Sequence, residues 1–204
     1  MKAVYYICNN KNWGHVASIV WELLEREGCF QKKADFEFDG REVYIYEKDG
    51  NEYYFVPTEI ALCLDYDRYL PYMNKYFSDF DMSAMVTWHE GANSPERVLT
   101  VHSLGDMNSG AFDVIDTKFM HNLLRGYKQE KDKLGLEDFT VATEATHWSG
   151  AHSDEADPTL LLQYKVPMVD IEVGSEEESW TNEKACLALA RTLTHVFDND
   201  GKRI

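Results

Sequence analysis

No stretch of the 204 residues approaches ~20 consecutive apolar positions, so a membrane-spanning helix is not expected. The apolar run that opens the chain ends by Cys8 in Asn9-Asn10-Lys11-Asn12, which is too short for a secretory leader. Cysteine is scarce: Cys8, Cys29, Cys63 and Cys186 lie far apart with no C-x-x-C pair. That excludes a zinc knuckle and a disulfide framework, and makes reduced thiols in a cytoplasmic protein the expectation. Basic residues are few, 20 Lys and Arg against 36 Asp and Glu, for a formal charge of −16. Such a surface repels polyanions, so binding of nucleic acid requires a local basic patch. Repeats and low-complexity segments are absent, and disorder is expected only at 199–204.

What is present reads as one α/β domain over 1–198. Residues 3–8 form a buried-strand pattern, and Val16, Ile19, Val20, Leu23 and Leu24 then recur at helical spacing. Three β-rich runs, 36–38, 43–46 and 53–56, are separated by Asp39-Gly40 and Asp49-Gly50, dipeptides suited to tight hairpins. Further strands are expected at 83–87, 98–101, 139–142 and 169–173, with helices over about 116–134 and from about 181. Strands alternating with helices predict a mostly parallel central sheet flanked by helices, with an antiparallel hairpin excursion. In such sheets ligands bind beyond the carboxyl ends of the strands, and the polar clusters fall there.

His89 and His102 each stand at the end of a strand pattern, where an imidazole suits acid–base work or metal binding; the plain alternative is that each caps backbone groups. Gly105, Asp106, Asn108 and Ser109 lie in a loop whose backbone N–H groups could approach an anion, although its spacing matches no Walker or Rossmann motif. Glu144 and His147, three residues apart after a strand, form a carboxylate–imidazole pairing, with Thr146 between them and Trp148 beside them. His152 follows in 149–157, which reads as a flexible insertion. Asp170 and Glu172 share one face of their strand, where a buried carboxylate needs a partner. Glu176, Glu177 and Glu178 precede the last helix and suit its dipole. Lys118, Arg125, Lys128 and Lys131 make one helix locally basic. His15, His121 and His195 are set aside.

Four stretches, FDGREVYIY at 38–46, WHEGANSPERVLTVHSLGD at 88–106, TEATHW at 143–148 and VPMVDIEVGSEEESW at 166–180, together resemble the archaeal and plant type of D-aminoacyl-tRNA deacylase. The resemblance implies a single α/β domain related in architecture to peptidyl-tRNA hydrolases and nucleoside phosphorylases. It also implies hydrolysis of the ester between a D-amino acid and tRNA, and zinc as a candidate cofactor. It places His89, His102, Glu144, His147 and Glu172 in the cleft, with His89, His102 and His147 as candidate metal ligands. On this reading His147 or His102 activates water, directly or through a metal, while Glu144 or Glu172 orients it. Gly105, Asp106, Asn108, Ser109, Thr146 and Trp148 would contact substrate, and Lys118, Arg125 and Lys128 would take the acceptor stem. The family pattern reads Glu-Ala-Thr-His-His-Gly-Pro; here its second histidine is Trp148, and about ten extra residues follow over 151–165. His152 is the candidate replacement. Two other readings stand beside this one: a small-molecule amidase or esterase without nucleic-acid binding, and a silent binding protein whose pocket Trp148 fills. Monomer and homodimer are both compatible with the sequence.

Overall fold

A computed structural model describes residues 1–91, 93–152 and 156–198, with the side chains of Ala151 and His152 outside the described set. The 199–204 tail and the question whether His152 reaches the cleft therefore lie outside the described residues. Strand β1 (Lys2–Cys8) leads into helix α1 (Val16–Arg26). The hairpin excursion follows as β2 (Lys32–Phe38), β3 (Arg41–Lys48) and β4 (Asn51–Thr58). Its turns carry Asp39 and Gly40 at φ 50° and 72°, and Asp49 and Gly50 at 53° and 75°. Positive φ at both central residues is the type I′ geometry that matches strand twist, so these dipeptides set the hairpin registers.

Helix α2 (Tyr66–Phe77), β5 (Met82–His89), β6 (Arg97–Ser103) and the small hairpin β7 (Gly105–Asp106) and β8 (Ala111–Phe112) come next. Helix α3 (Thr117–Leu134) starts on Asp116, whose side chain accepts from Lys118 N and Phe119 N, and stops at Gly135 at φ 66°. Strand β9 (Thr140–Thr143), β10 (Met168–Ser175) and helices α4 (Glu177–Trp180) and α5 (Glu183–Thr192) complete the chain. No helix among the described residues is long and apolar enough to cross a membrane.

The eight-stranded sheet runs β2-β3-β4-β1-β5-β10-β6-β9. Its centre, β4, β1, β5 and β10, is parallel; β6 turns antiparallel to β10, and β9 runs parallel to β6. The expected mostly parallel sheet with an antiparallel excursion is thus present, but β6 runs against its neighbour. Its last residues therefore point away from the carboxyl end of β5, and His102 pairs across from Asp170, near the start of β10.

Helices α1, α3 and α5 cover one face, burying Ala84, Val86, Val169, Ile171 and Val173. The other face carries Met85 and Met168 beneath α2 and the short helical segment Pro158–Gln163. Leu161 and Tyr164 are fully buried in that second layer. This covering segment follows the stretch expected as a flexible insertion, 149–157, and does not belong to it. Residues 153–155 lie outside the described set.

Asp113 sits in this layer near Tyr6, Tyr66 and Tyr164. Burial pushes its carboxyl up to about 8, although Val114 N donates to it. An acid whose folded pKa is raised loses stability as pH climbs from its ordinary value toward the folded one. Asp113→Asn is expected to flatten the decline in melting temperature between about pH 4 and pH 8, as read by a pH series of thermal melts.

Candidate active site

Alternation along β5 and β10 puts Thr87, His89, Asp170 and Glu172 on the face away from α1, α3 and α5, and antiparallel pairing adds Thr100 and His102 from β6. Of these, Thr87, His89 and Glu172 line a cleft of about 260 Å³ together with the polar residues Glu90, His147 and Ser149 and the apolar residues Cys63, Leu64 and Trp88, while Asp170, Thr100 and His102 are fully buried. Sites of this composition are the usual place for small-ligand chemistry.

His89 is held from both sides. Its Nδ1 lies 2.7 Å from Ser175 Oγ, and Ser175 spends its own proton on Pro95 O at 2.8 Å. Nδ1 is therefore the donor, and Nε2 faces Glu144 Oε1 at 3.0 Å. The hydrogen bond to Glu144 raises the His89 pKa above its ordinary value. Burial, the largest single influence, pushes Glu144 up, but the hydrogen bond and charge of His89, with Thr100 and the His102 charge, together outweigh it and leave the carboxyl lower than usual. The pair is an imidazolium–carboxylate contact. Gly174 lets β10 approach this histidine: a Cβ there would stand 2.4 Å from His89 O and 2.5 Å from His89 Cβ. Gly174→Ala is expected to destabilise the fold by about 1–3 kcal/mol and to move the His89 ring, read by denaturant titration and by the histidine NMR signal.

His102 is fully buried. Its Nδ1 donates to Ser103 O at 3.0 Å, and Nε2 lies 3.7 Å from Asp170 Oδ2 and 3.6 Å from Glu172 Oε1. Burial alone would lower its pKa, but Glu172 and Asp170 drive it up to about 9. Burial raises both carboxyls; the His102 charge and, for Asp170, hydroxyl donors work against it. Thr87 Oγ1 reaches Asp170 Oδ1 at 2.8 Å and Glu172 Oε1 at 3.0 Å, and Ser149 Oγ donates to Asp170 Oδ2. Asp170 is thus held at both oxygens, while Glu172 Oε2 is buried without a partner.

His147 stacks on His102, ring centroids 3.9 Å apart and planes at 22°. Its Nδ1 donates to Ala145 O at 3.0 Å, so the neutral ring presents the Nε2 lone pair. It is the exposed histidine at the rim, above the buried one.

Of the residues singled out in the sequence, His89, His102, Glu144, His147 and Glu172 come together. The 105–110 loop does not join them. Ser109 N binds Asp106 Oδ2 at 2.7 Å, Gly110 N binds Asp106 O at 2.9 Å, Ala111 N binds Ser109 Oγ at 3.3 Å and Gly105 N binds His147 O at 3.2 Å. Those amides are consumed within the fold and leave none of the four to hold an anion. Thr146 hydrogen-bonds Ser103 Oγ at 2.5 Å. Trp148 is 4% exposed and lies edge-on to Tyr66, with ring centroids 5.6 Å apart, in the second core rather than in the cleft. It does not fill the pocket. Lys118, Arg125 and Lys128 ride on α3, in the helical layer across the sheet.

A model of the D-aminoacyl-tRNA deacylase family matches residues 76–204, a stretch that carries every residue of the cluster. This chain belongs to that family. It is 29% identical over 186 residues to a D-aminoacyl-tRNA deacylase of Pyrococcus horikoshii, covering 89% of this chain and 61% of that protein. A second, from Pyrococcus abyssi, is 27% identical over 188 residues with the same coverages, 89% and 61%. The chain therefore spans about 61% of the length of these deacylases. A crystal structure of a conserved protein of unknown function superposes with TM-score 0.63 at 17% identity, over 98% of this chain and 64% of the other. A 5′-methylthioadenosine/S-adenosylhomocysteine nucleosidase of Campylobacter jejuni superposes with TM-score 0.52 at 11% identity, over 95% of this chain and 97% of the other. These two likenesses concern the fold alone.

Two donor groups in this deacylase-family chain have ligand atoms within 4.8 Å of one another: His89, Glu144 and Glu172, and His102, Asp170 and Glu172. His147, a candidate metal ligand by sequence, is in neither. Three residues escaped the sequence reading as site members: Thr87, Ser149 and Asp170. The two-residue alternation Thr87/His89 and Asp170/Glu172 was a usable signal for two of them. Ser149 had none, because only the tertiary fold brings it to β10.

Proposed function

We propose that this chain is a hydrolase that cleaves the ester between a D-amino acid and tRNA. The observation that carries the reading is His147, held with Nε2 free at the rim of a cleft where two histidine–carboxylate groups converge. In this scheme His147 Nε2 takes the proton of the attacking water, the geometry required of a general base. His89, charged against Glu144 and with both ring N–H groups committed to Ser175 and Glu144, lines the same cleft and supplies positive charge near the oxygen on which negative charge develops. His102 stays buried as a cation between Asp170 and Glu172, fixing the plane on which His147 stacks.

Zinc suits this donor set. The unpartnered buried atoms Glu172 Oε2 and His102 Nε2 belong to the two donor groups, and imidazole with carboxylate oxygen is a normal zinc environment. His89, Glu144 and Glu172, or His102, Asp170 and Glu172, would hold it only with the histidine of that group deprotonated, the metal then taking the place of its positive charge, and it would supply Lewis-acid polarisation of the carbonyl. The acceptor stem would have to reach around the β9 edge to meet the α3 lysines, where a groove lined by Lys128 and Lys131 runs beside Thr143, one residue before Glu144.

One observation favours a second reading, a small-molecule esterase on the same scaffold: among the described residues, none lining the cleft is Lys or Arg. Incubation with D- and L-aminoacyl-tRNA, scored by release of free amino acid, tests the first reading. Release of neither, together with hydrolysis of simple amino-acid esters and no retention on immobilised tRNA at low salt, would establish the second.

A further inference from the structure

Glu90 and Glu172 line the cleft, and among the described lining residues there is no Lys or Arg. Glu144 lies against His89, and Asp170 against His102, so carboxyl groups outnumber imidazolium partners around this site. A cleft lined by one sign of charge focuses its field on ligands of the other sign. Phosphate is therefore the wrong ligand for this place. The part of an aminoacyl ester that suits it is the positively charged one.

Both lining carboxyl groups have acceptor capacity left over. Glu172 is 4% exposed; its Oε1 takes the Thr87 hydroxyl and faces His102, while Oε2 is buried with no partner. A buried acceptor in that state has lost its water and gained nothing, unless a ligand brings a donor. Glu90 follows His89 at the end of β5 and is exposed at the mouth of the cleft. No hydrogen bond or ion pair among the described residues engages its side chain. The backbone beside it is held close: Ser94 N donates to Gly91 O at 3.2 Å, and a Cβ at Gly91 would stand 3.4 Å from His89 Cε1. Glu90 also belongs to neither donor group that suits zinc, so it stays available when Glu172 is engaged by a metal.

We infer that Glu90, with Glu172 Oε2 behind it, receives the α-ammonium of the acyl group and so selects esters that carry a free amino group. The inference rests on the ester-hydrolase reading of the cleft. An ammonium brings three N–H donors and a positive charge, which answers both the free Glu90 carboxylate and the buried Glu172 oxygen. It sits on the carbon next to the ester carbonyl, so holding it also restrains the reacting bond. The absence of Lys and Arg from the described lining then has a reason: the cleft is built for the acyl end of the substrate, and the phosphates stay outside it. A 2-hydroxyacyl ester of the same shape lacks the charge, and an N-acetylated ester lacks the charge and adds bulk, so both are discriminated against.

The test uses three esters of one tRNA: D-phenylalanyl, N-acetyl-D-phenylalanyl and D-phenyllactyl, the last with a hydroxyl in place of the amine. Wild type is expected to prefer the D-phenylalanyl ester in kcat/KM. Glu90→Gln is expected to raise KM for that ester about ten-fold more than for the phenyllactyl ester, the range of one charge-assisted hydrogen bond, and Glu90→Asp to recover part of the loss. Because Glu90 is exposed, neither change threatens the fold. The shared tRNA and the comparison of each variant with wild type cancel differences in tRNA binding and in intrinsic ester reactivity. A preference unmoved by Glu90→Gln, or a wild type that hydrolyses the N-acetyl ester as well as the free amine, would overturn the assignment. If the wild type hydrolyses none of the three, it is the deacylase reading that fails, and the ammonium site is then judged by binding of D-phenylalaninamide against its N-acetyl form. Tighter binding of the cation that is lost in Glu90→Gln would uphold the site; equal affinities, or a cation affinity unchanged in Glu90→Gln, would overturn it as well.

Discussion

On the proposed ester hydrolysis, His147→Ala is expected to lower the turnover of D-aminoacyl esters by about 10²- to 10⁴-fold, the range a positioned general base contributes, with little change in the thermal midpoint. The ring is exposed and makes one hydrogen bond, from Nδ1 to Ala145 O, together with the stack on His102. Its removal therefore empties the rim and leaves the buried layer in place. The loss should appear in kcat, since Nε2 is placed to act on water rather than to bind the acyl group. His147→Gln, which keeps a polar side chain without a titratable ring, should be as slow as the alanine variant. Single-turnover deacylation beside a thermal melt checks both statements. A His147→Ala enzyme with unchanged turnover would pass the role of base to another group.

His102→Ala is expected to cost about 3–5 kcal/mol of folding stability near neutral pH, the largest stability effect of any single change considered. Asp170 and Glu172 are buried two residues apart on one strand face, and His102 is the cation between them. Its removal leaves two carboxylates sharing the hydroxyl donors Thr87 and Ser149, too few to satisfy both. The pH dependence gives the sign. A histidine whose folded pKa is raised contributes stability that is fully present below its unfolded value, 6.5, and is lost as pH rises through about 9. The difference between wild type and His102→Ala should therefore be largest near pH 6.5 and shrink toward pH 9. Urea titrations across that window measure it, and a gap independent of pH would show that His102 carries no charge in the fold.

Local sequence patterns were enough for the turns, the strand faces and the order of the polar clusters. Asp39-Gly40 and Asp49-Gly50 encode positive φ without help from the rest of the chain, and they appear as the hairpin turns. The two-residue period that puts Asp170 and Glu172 on one face is equally local, and the same period places Thr87 beside His89. The grouping of His89, His102, Glu144, His147 and Glu172 came instead from the resemblance to the deacylase family, because no local period links segments so far apart in the chain.

The direction of β6 was not legible, because parallel and antiparallel pairing use the same side-chain alternation and differ only in which long-range partner the strand meets. That choice moved His102 from the carboxyl edge of the sheet to a buried place opposite Asp170. Nor did the glycines and small polar residues of 105–110 reveal that their amides bond to Asp106, Ser109 and His147. Trp148, which in sequence stood where an imidazole was expected, was free to be either a pocket plug or a core residue. Tyr66 and the cover segment around Leu161 drew it into the second core. Composition and period determined what this chain has to work with and which side chains share a face. Only the packing of distant segments decided which of them meet, since burial and cross-strand partnership are properties of the folded whole.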